Sequence, residues 1–492
     1  MKVFRTICIC ILVAAWCSIA NAQVWTPLNN QPGASVGVMI QLRDGRILVH
    51  EEQNGNSRNW HILKPDSTGS YINGTWSSGG QLPAGYSPWY FSSQVLFGSG
   101  KNVLIEGGEY NLGSAAWTTL GALGTCSPFG ACSWVSNAPP SGWSTIGDAE
   151  SVILPNGHYL QADCCSAQTA EFKARNTWVA STNTTNYNDE QGFTLLPSGK
   201  LLMVDAWQNP ACGSSTMATE LRSTEGTGGT WSCGPNATAQ LWDNSGHELG
   251  PVVLTYDRVN NAIAFGATNH TSIYHISTNS FTAGPTPPNG LTAYDAPASL
   301  EPNGNVLAML GPSGFGHGCQ FVEYTPATNT IATTANPTHC PGGPSSDPSY
   351  VGHLMILPTG QTMFTDFSGL VEIYTPAPGN ISGTAPVITS YPSSVTHGVT
   401  NYVLNGKQLN GLTQNNAYGD DYQGDTNYPL IYVTDGNQVY WLFTHNDSTH
   451  SIARGVVMST HFDVPSSVPP GTYTLYVVAN GVKSTGVTIT VI

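Results

Sequence analysis

The sequence MIQLRDGRILV at residues 39–49 carries the pattern that decides the fold. An apolar strand leads into a turn in which Gly45 can supply the positive φ that a tight hairpin needs, and a second apolar strand follows. A polar strand that ends near an aromatic residue completes the unit, as in GTW at residues 74–76. The hairpin returns six more times, at residues 95–108, 154–157, 196–199, 252–266, 301–304 and 357–360.

Seven units of roughly 50 residues, each with four short strands, are typical of β-propeller blades of the kelch type. A single blade cannot bury both of its faces, so radial stacking of the units builds the core. The alternative is a series of β-sandwich domains, but sandwiches do not repeat one turn signature seven times. We therefore predict an all-β protein with a seven-bladed kelch-type β-propeller over residues 23–378.

Two segments of different character flank the propeller. Residues 1–22 have a basic start, an apolar centre and the small-residue end Ala20-Asn21-Ala22, which predicts a secretory signal peptide. Its apolar run is too short for a membrane anchor, and no later segment offers the roughly 18 apolar residues that a membrane span needs. After a linker rich in Pro and Gly, residues 386–492 form alternating strands that predict an immunoglobulin-like β-sandwich.

The composition narrows the class of partner and the compartment. Only 9% of the residues are charged, and 54 Gly and 33 Pro interrupt the chain, which excludes a long coiled coil and a disordered acidic tail. The net charge of −15 disfavours nucleic acid and anionic membranes as partners. The signal peptide predicts a secreted protein, extracellular or periplasmic.

Eight cysteines follow the predicted signal peptide, and an even number in an oxidising compartment predicts disulfides. Proximity in sequence favours three local bridges and leaves one pair of neighbours, which can form a vicinal disulfide, remain as free thiols or pair differently. The predicted bridges are Cys126–Cys132, Cys212–Cys233, Cys319–Cys340 and Cys164–Cys165.

A propeller followed by this kind of C-terminal domain resembles galactose oxidase and its relatives over essentially the whole chain after residue 22. The stretch PPGTYTLYVV at residues 469–478 is similar to the family's final strand. The blocks AYGDD at 417–421 and STHFDVP at 459–465 resemble those of secreted bacterial kelch proteins. The N-terminal carbohydrate-binding module of galactose oxidase has no counterpart in this sequence.

The resemblance implies a copper ion on the propeller axis, held by two tyrosines and two histidines, one of them on a C-terminal loop. Tyr350 stands where the family places an axial tyrosine, but the next position, where a histidine belongs, is Val351. His353 follows two residues later. His445 and His450 lie in a loop that resembles the family's histidine loop, so one of them is expected to reach the axis. Copper(II) prefers several imidazole or phenolate donors, and one of each is too few.

The residues just before the inner strands should line the funnel on the propeller axis, the usual ligand site of such folds. Their carboxylates can accept hydrogen bonds from sugar hydroxyls, bind a cation such as calcium, or act as a paired acid and base. Any single acid can instead cap the backbone of a neighbouring blade. The candidates are Asp148, Glu150, Asp189, Glu190, Tyr294, Asp295 and Tyr350.

Three further features have a structural and a functional interpretation. Asp163, Asp205 and Asp366 follow the second strands of their blades and predict blade-closing turns. The acidic stretch 418–425 suits either calcium or a solvated loop. The aromatic run 89–91 is a candidate for an exposed sugar-stacking platform.

Three hypotheses for function remain. The first is a secreted protein that recognises an extracellular glycan or small molecule in the funnel. The second is a copper radical oxidase of alcohols or aldehydes that uses Tyr350 with His445 or His450. The third is a carbohydrate-active lyase or hydrolase that uses the carboxylates of the funnel. The cofactor is open, with copper and calcium as the candidates.

Overall fold

The computed structural model describes residues 23–52, 57–109, 117–256, 261–340, 343, 345–419 and 424–492. The predicted signal peptide and residues 420–423 of the acidic stretch lie outside these ranges. Seven antiparallel sheets, each with four strands of its own, follow one another as blades, and one further sheet follows them. The prediction of an all-β, seven-bladed propeller is confirmed.

The chain passes through each blade from the inner strand to the outer one. The first strand, β1 (Val24–Pro27), belongs to the last blade. Blades 1 to 3 contain β2 (Val36–Gln41), β3 (Ile47–Glu51), β4 (Asn59–Lys64) and β5 (Thr75–Gln81), then β6 (Ser92–Val95), β7 (Asn102–Glu106), β8 (Gly121–Cys126) and β9 (Cys132–Asn137), then β10 (Ser151–Ile153), β11 (Tyr159–Ala162), β12 (Thr169–Ala174) and β13 (Thr177–Ala180).

The remaining blades repeat this order. Blades 4 to 6 contain β14 (Thr194–Leu195), β15 (Leu201–Val204), β16 (Thr219–Arg222) and β17 (Trp231–Cys233), then β18 (Val252–Leu254), β19 (Asn261–Phe265), β20 (Thr271–His275) and β21 (Ser280–Ala283), then β22 (Ala298–Leu300), β23 (Val306–Leu310), β24 (Gln320–Thr325) and β25 (Thr330–Thr333). Blade 7 contains β26 (His353–Ile356), β27 (Thr362–Thr365) and β28 (Glu372–Thr375).

Strand β1 closes the ring. It pairs antiparallel with β28, from Val24 opposite Thr375 to Pro27 opposite Glu372, and so forms the outer strand of blade 7. Pairing the first strand with the last blade joins the two ends of the propeller by hydrogen bonds. In the described residues the seven blades therefore form one closed ring.

The inner strands are almost entirely buried, including their polar residues, as in the Ser-Ser-Gln-Val sequence of β6. All six residues of β2 are buried, because neighbouring blades pack on both faces of this strand. Gly45, in the turn that follows β2, has a φ of +79°. A Cβ at this position would collide with the ring of Trp441 from the C-terminal domain. The turn glycine thus serves both the hairpin and the contact with that domain.

The C-terminal domain forms one curved sheet in the order β29, β31, β35, β34, β33, β36, β38, β30, with β37 paired to β36. From Thr472 to Val477 its strand β36 alternates exposed or half-buried residues with buried ones, as expected where one face covers a core and the other meets solvent. The immunoglobulin-like class stays a prediction. The strands are β29 (Val387–Ser390), β30 (Ser394–Val395), β31 (Tyr402–Lys407), β32 (Asn416–Ala417), β33 (Leu430–Thr434), β34 (Val439–His445), β35 (Val457–Asp463), β36 (Gly471–Ala479), β37 (Val482–Lys483) and β38 (Val487–Val491).

All four predicted disulfides are present. They are Cys126–Cys132, Cys164–Cys165, Cys212–Cys233 and Cys319–Cys340. Within the described ranges the helices are four short 3-10 turns, Pro210–Cys212, Glu225–Thr227, Pro288–Gly290 and Ser349–Val351. Among these residues there is accordingly no helix with the length and apolar character to cross a membrane.

A segment of the C-terminal domain runs along the propeller axis. This axial hairpin comprises residues 413–419 and 424–428, and its strand β32 pairs with β22 of blade 6. Its polar side chains bond to inner strands around the ring: Gln414 accepts from the Leu195 amide, Thr413 donates to the Leu254 carbonyl at 2.9 Å, and Asn416 accepts from the Ile356 amide at 2.9 Å. Only a segment on the axis can reach blades 4, 5 and 7 at once.

Candidate functional site

The loops that precede the inner strands meet at one mouth of the axial channel. Blades are related by rotation about the axis, so equivalent positions of successive blades form a ring around this mouth. Gly419 of the axial hairpin lies here as well, because a Cβ at this position would lie 2.8 Å from the carboxylate of Asp295. The axial hairpin therefore lies at the inner end of the mouth, inside the channel.

Three consecutive blades each place one carboxylate at this mouth. Glu190, Glu248 and Asp295 come from blades 4, 5 and 6, and their carboxylate oxygens lie within 4.8 Å of one another. We call these residues the carboxylate cluster. Like charges at this separation repel, so the cluster favours protons, a cation or hydroxyl donors between its members. It fits the chemistry of calcium or of sugar hydroxyls.

An arc of five aromatic rings lies beside the cluster. Its members are named the aromatic crescent: Tyr90, Phe367, Tyr350, Phe315 and Tyr294. The ring centroids are 5.7 Å apart for Tyr90 and Phe367, 6.2 Å for Tyr90 and Tyr350, 5.1 Å for Tyr350 and Phe315, and 5.3 Å for Phe315 and Tyr294. Phe315 is 37% exposed, and the rings of Tyr90, Phe367 and Tyr350 are half-buried. The crescent thus presents aromatic surface to solvent.

The backbone of this mouth is unusual for the residues that it carries. Tyr90, Phe315 and Phe367 of the crescent have φ values of +47°, +58° and +59°, and Asp295 of the cluster has +41°. Side chains with a Cβ rarely adopt this left-handed region, and bulky ones do so at a cost of about 1–3 kcal/mol each. Strained backbone of this kind clusters at functional sites, because there it contributes to the arrangement of the binding or catalytic groups.

Burial and negative charge determine the protonation of the mouth. Burial, with the carboxylates of Asp347 and Asp295, raises the pKa of Tyr350 above its ordinary value. Burial, with Asp243, raises the pKa of Tyr294 to about 12. Both phenols therefore keep their protons and remain hydrogen-bond donors at neutral pH. Burial also raises the pKa of Glu109, on the loop after the second strand of blade 2, to about 7.

The other predicted acids of the funnel have different surroundings. Asp148 is half-buried, whereas Glu150 is fully buried and does not line the mouth. Asp189 points away from the carboxylate cluster, since one of its oxygens contacts the sulfurs of Cys164 and Cys165 at 3.3 and 3.2 Å and the other accepts from Trp207 Nε1 at 2.9 Å.

The predicted blade-closing aspartates hold turns. Asp163 accepts from Ser166 Oγ at 2.8 Å, and Asp205 accepts from Asn209 Nδ2 at 2.8 Å. Asp366 accepts from Ser368 and contacts His339 Nδ1 at 2.7 Å.

His445 and His450, one of which was expected to reach the axis, make their contacts away from Tyr350. His445 Nε2 contacts Asp463 at 3.0 Å within the C-terminal domain. The His450 amide donates to the Pro155 carbonyl, and its ring packs on Phe97. Pro155 and Phe97 lie in turns that follow inner strands, whereas Tyr350 precedes one. His450 therefore lies toward the opposite end of the propeller from Tyr350. The segment that runs along the axis is the axial hairpin, which precedes the histidine loop in the chain, and a role for either histidine in binding copper stays a prediction.

Neither family models nor curated protein sequences match this chain. Solved structures do. A fungal alcohol oxidase of the AA5 family, in complex with copper, aligns with a TM-score of 0.53 and 12% identity over 96% of this chain and 100% of that one. A streptogramin B lyase and the virginiamycin B lyase of Staphylococcus aureus align over 72% of this chain, covering 97% and 99% of theirs, at 12% identity with TM-scores of 0.47 and 0.46. At 12% identity, the alignment with the alcohol oxidase shows that the two chains share a fold.

The donors around Tyr350 do not fit a copper site of the kind that the resemblance implies. Its neighbours are aromatic rings and the carboxylates of Asp347 and Asp295. His353 is fully buried and stacks on Tyr418, and burial lowers its pKa to about 3. Among the described residues, Asp347 also belongs to a group with His339 and Asp366 whose ligand atoms lie within 4.8 Å of one another, so one imidazole accompanies the carboxylates. Such a set suits a hard cation better than copper(II).

Sequence reasoning missed several residues of the mouth. Glu248 precedes the inner strand of blade 5, the unit with the weakest repeat, so its position could not be aligned with Glu190 and Asp295. Phe315 and Phe367 follow second strands, whereas the predicted funnel residues precede inner strands. The loops after second strands, taken together with the loops before inner strands, contain all of the missed residues.

Proposed function

We propose that this protein is an extracellular glycan-binding propeller of the kelch type, with its binding site at the axial mouth and an immunoglobulin-like C-terminal domain. The observation that carries the proposal is the aromatic crescent beside the carboxylate cluster. Aromatic faces offer apolar surface to the C–H face of a pyranose, and carboxylates accept hydrogen bonds from its hydroxyl groups. The protonated phenol of the half-buried Tyr350 adds a donor to the same surface, whereas the buried Tyr294 hydroxyl interacts with Asp243.

A groove next to the mouth offers space for part of a sugar ligand. A groove of about 630 Å³ leads from Tyr294 past Asp243 and His270 on the loops of blades 5 and 6. The groove is open to solvent, and of the aromatic crescent and the carboxylate cluster it includes Tyr294 alone. The four disulfides support an extracellular location, since such bonds persist in oxidising compartments.

A glycan microarray followed by isothermal titration calorimetry tests the proposal. Glu190→Gln and Asp295→Asn should each weaken the affinity for the glycan that binds, by about tenfold, because an amide replaces a charged acceptor. Asp435→Asn is the matched control, since Asp435 lies in an exposed turn of the C-terminal domain and its change should have no effect. If the wild-type protein binds no glycan, or if all three variants bind equally well, the proposal is wrong.

The copper oxidase is the second candidate, because the alcohol oxidase shares the fold and Tyr350 lies at the axial mouth. Copper loading, followed by metal analysis and electron paramagnetic resonance, separates it from the first. One bound copper per chain, with a signal that Tyr350→Phe abolishes, would favour the oxidase. Release of soluble products from a bound glycan, lost in Glu190→Gln, would instead indicate a lyase or hydrolase.

A further inference from the structure

A second surface lies at the rim of the mouth, on the side of blades 3 to 5. It consists of the Cys164–Cys165 disulfide, Asp189, Trp207 and His247, and we call it the rim ledge. We propose that the rim ledge is a second sugar subsite, so that the ligand is an oligosaccharide that extends outward from the carboxylate cluster. This inference rests on the proposed glycan function and adds the length of the ligand to it.

Asp189 fixes the ledge by joining its parts. One carboxylate oxygen lies 3.3 Å from the Cys164 sulfur and 3.2 Å from the Cys165 sulfur. The other accepts a hydrogen bond from Trp207 Nε1 at 2.9 Å. A single side chain thus lies between the disulfide of blade 3, which it contacts, and the indole of blade 4, from which it accepts a hydrogen bond.

Stacked rings support the indole from behind. The rings of Trp207 and His247 are parallel within 10°, with centroids 3.4 Å apart, and His247 stacks in turn on Trp242 at 4.9 Å. The His247 ring is held by a contact between Nδ1 and the Ala206 carbonyl at 3.0 Å. A surface that is ordered before binding loses little conformational entropy when a ligand arrives.

The turn that carries the disulfide is ordered as well. The Cys164 amide donates to the Ile146 carbonyl at 2.8 Å, and Asp163 holds Ser166 just after the disulfide. Cys164 is 1% exposed, whereas Cys165 faces solvent. The turn therefore buries one half of the disulfide and presents the other half at the rim.

The chemistry of the ledge suits a sugar ring. Cys165 is exposed, Trp207 is half-buried and the nearby Tyr187 is 56% exposed, so apolar and aromatic surface flanks one carboxylate. The carboxylates of Asp189 and the neighbouring Glu190 disfavour phosphate and other anions. A pyranose, with an apolar face and hydroxyl groups at its edge, meets both kinds of surface. Its C–H face would cover the disulfide and the indole, and its edge would lie toward the carboxylate.

The ledge and the carboxylate cluster are adjacent. Asp189 belongs to the ledge and Glu190 to the cluster, and the Cα atoms of consecutive residues lie about 3.8 Å apart. Their side chains diverge, because Asp189 contacts the disulfide while Glu190 faces Glu248 and Asp295. One ligand can therefore contact both surfaces, with one sugar unit over the cluster and the next over the ledge.

The test compares ligand length across variants. Isothermal titration calorimetry would use gluco-, xylo-, manno- and chito-oligosaccharides, each as the monosaccharide and in β-1,4-linked chains of two to six units. Wild-type affinity should rise with the second or third unit. Trp207→Ala, and separately the double change Cys164→Ala with Cys165→Ala, should remove most of this gain, about tenfold. Both should leave the affinity for the monosaccharide unchanged.

Matched controls come from equivalent groups far from the mouth. The double change Cys126→Ala with Cys132→Ala removes another short-range disulfide, and Trp178→Ala removes an indole from the outer strand of blade 3. Neither should alter the length dependence. Affinity that rises with length equally in all variants would overturn the rim ledge alone. A wild-type protein that binds no saccharide in the series would overturn the glycan function together with it.

Discussion

Replacing Asn416 with alanine should weaken the propeller strongly, because this one amide of the axial hairpin joins three segments. Its Oδ1 accepts from the Ile356 amide at 2.9 Å and from Ser299 Oγ at 3.0 Å, and its Nδ2 donates to the Gly424 carbonyl at 2.6 Å. The residue is only 2% exposed, so bulk water cannot replace these partners.

The structure gives the expected magnitude. Ser299 Oγ keeps a second acceptor in Asn415 Oδ1 at 3.1 Å, but the Ile356 amide and the Gly424 carbonyl each lose their contact with the side chain of Asn416. A buried polar group left without its partner costs about 1–3 kcal/mol. Two such groups predict a loss of about 2–6 kcal/mol in the free energy of unfolding.

Guanidinium unfolding followed by tryptophan fluorescence measures this loss, and circular dichroism verifies that the variant folds. Asn405→Ala is the matched control, because it removes one exposed hydrogen bond, to Ser390 Oγ at 2.8 Å. The control should lose less than about 0.5 kcal/mol. If Asn416→Ala loses no more than the control, the amide bonds of the axial hairpin do not hold the blades together and the reasoning is refuted.

Three further outcomes are expected. Gly45→Ala should lower the free energy of unfolding by about 1–3 kcal/mol, because the φ of +79° and the ring of Trp441 leave no room for a Cβ, and chemical denaturation measures the change. Burial and the Glu220 carboxylate raise the pKa of Asp205 from 3.8 to about 8, so the folded state keeps a proton that the unfolded chain releases. Stability should therefore fall as pH rises from about 4 to 8, and Asp205→Asn should flatten this decline in denaturation curves recorded across that range. Changing Cys319 and Cys340 together to alanine, which opens a bridge between residues 21 positions apart, should cost about 3 kcal/mol and lower the melting temperature measured by calorimetry.

The hairpin repeats were sufficient to predict the ring of blades, since each turn depends on a local pattern of strand, glycine and strand. The disulfides were predictable for the same reason: three of them join cysteines close in sequence, and the fourth joins neighbours. Both features depend on contacts within one blade. Local sequence is informative about such contacts because a turn signature and a short loop leave few alternative structures.

The mouth and its lower end depend on contacts between distant segments, and the sequence gives little sign of them. The side chains of Thr413, Gln414 and Asn416 bond to buried backbone groups of inner strands inside the channel, yet a polar stretch without periodicity resembles a solvated loop. The histidine loop was placed on the axis by resemblance alone. Glu190, Glu248 and Asp295 meet only because three blades are rotated about a common centre.

The pairing of β1 with β28 also has a consequence for assembly. If β1 (Val24–Pro27) were clipped or displaced, blade 7 would present an unpaired outer edge along the four residues Glu372–Thr375. Such an edge accepts any extended strand of suitable length, including β1 of another molecule. Exchange of this strand between molecules would link propellers into dimers or chains while each ring remained complete.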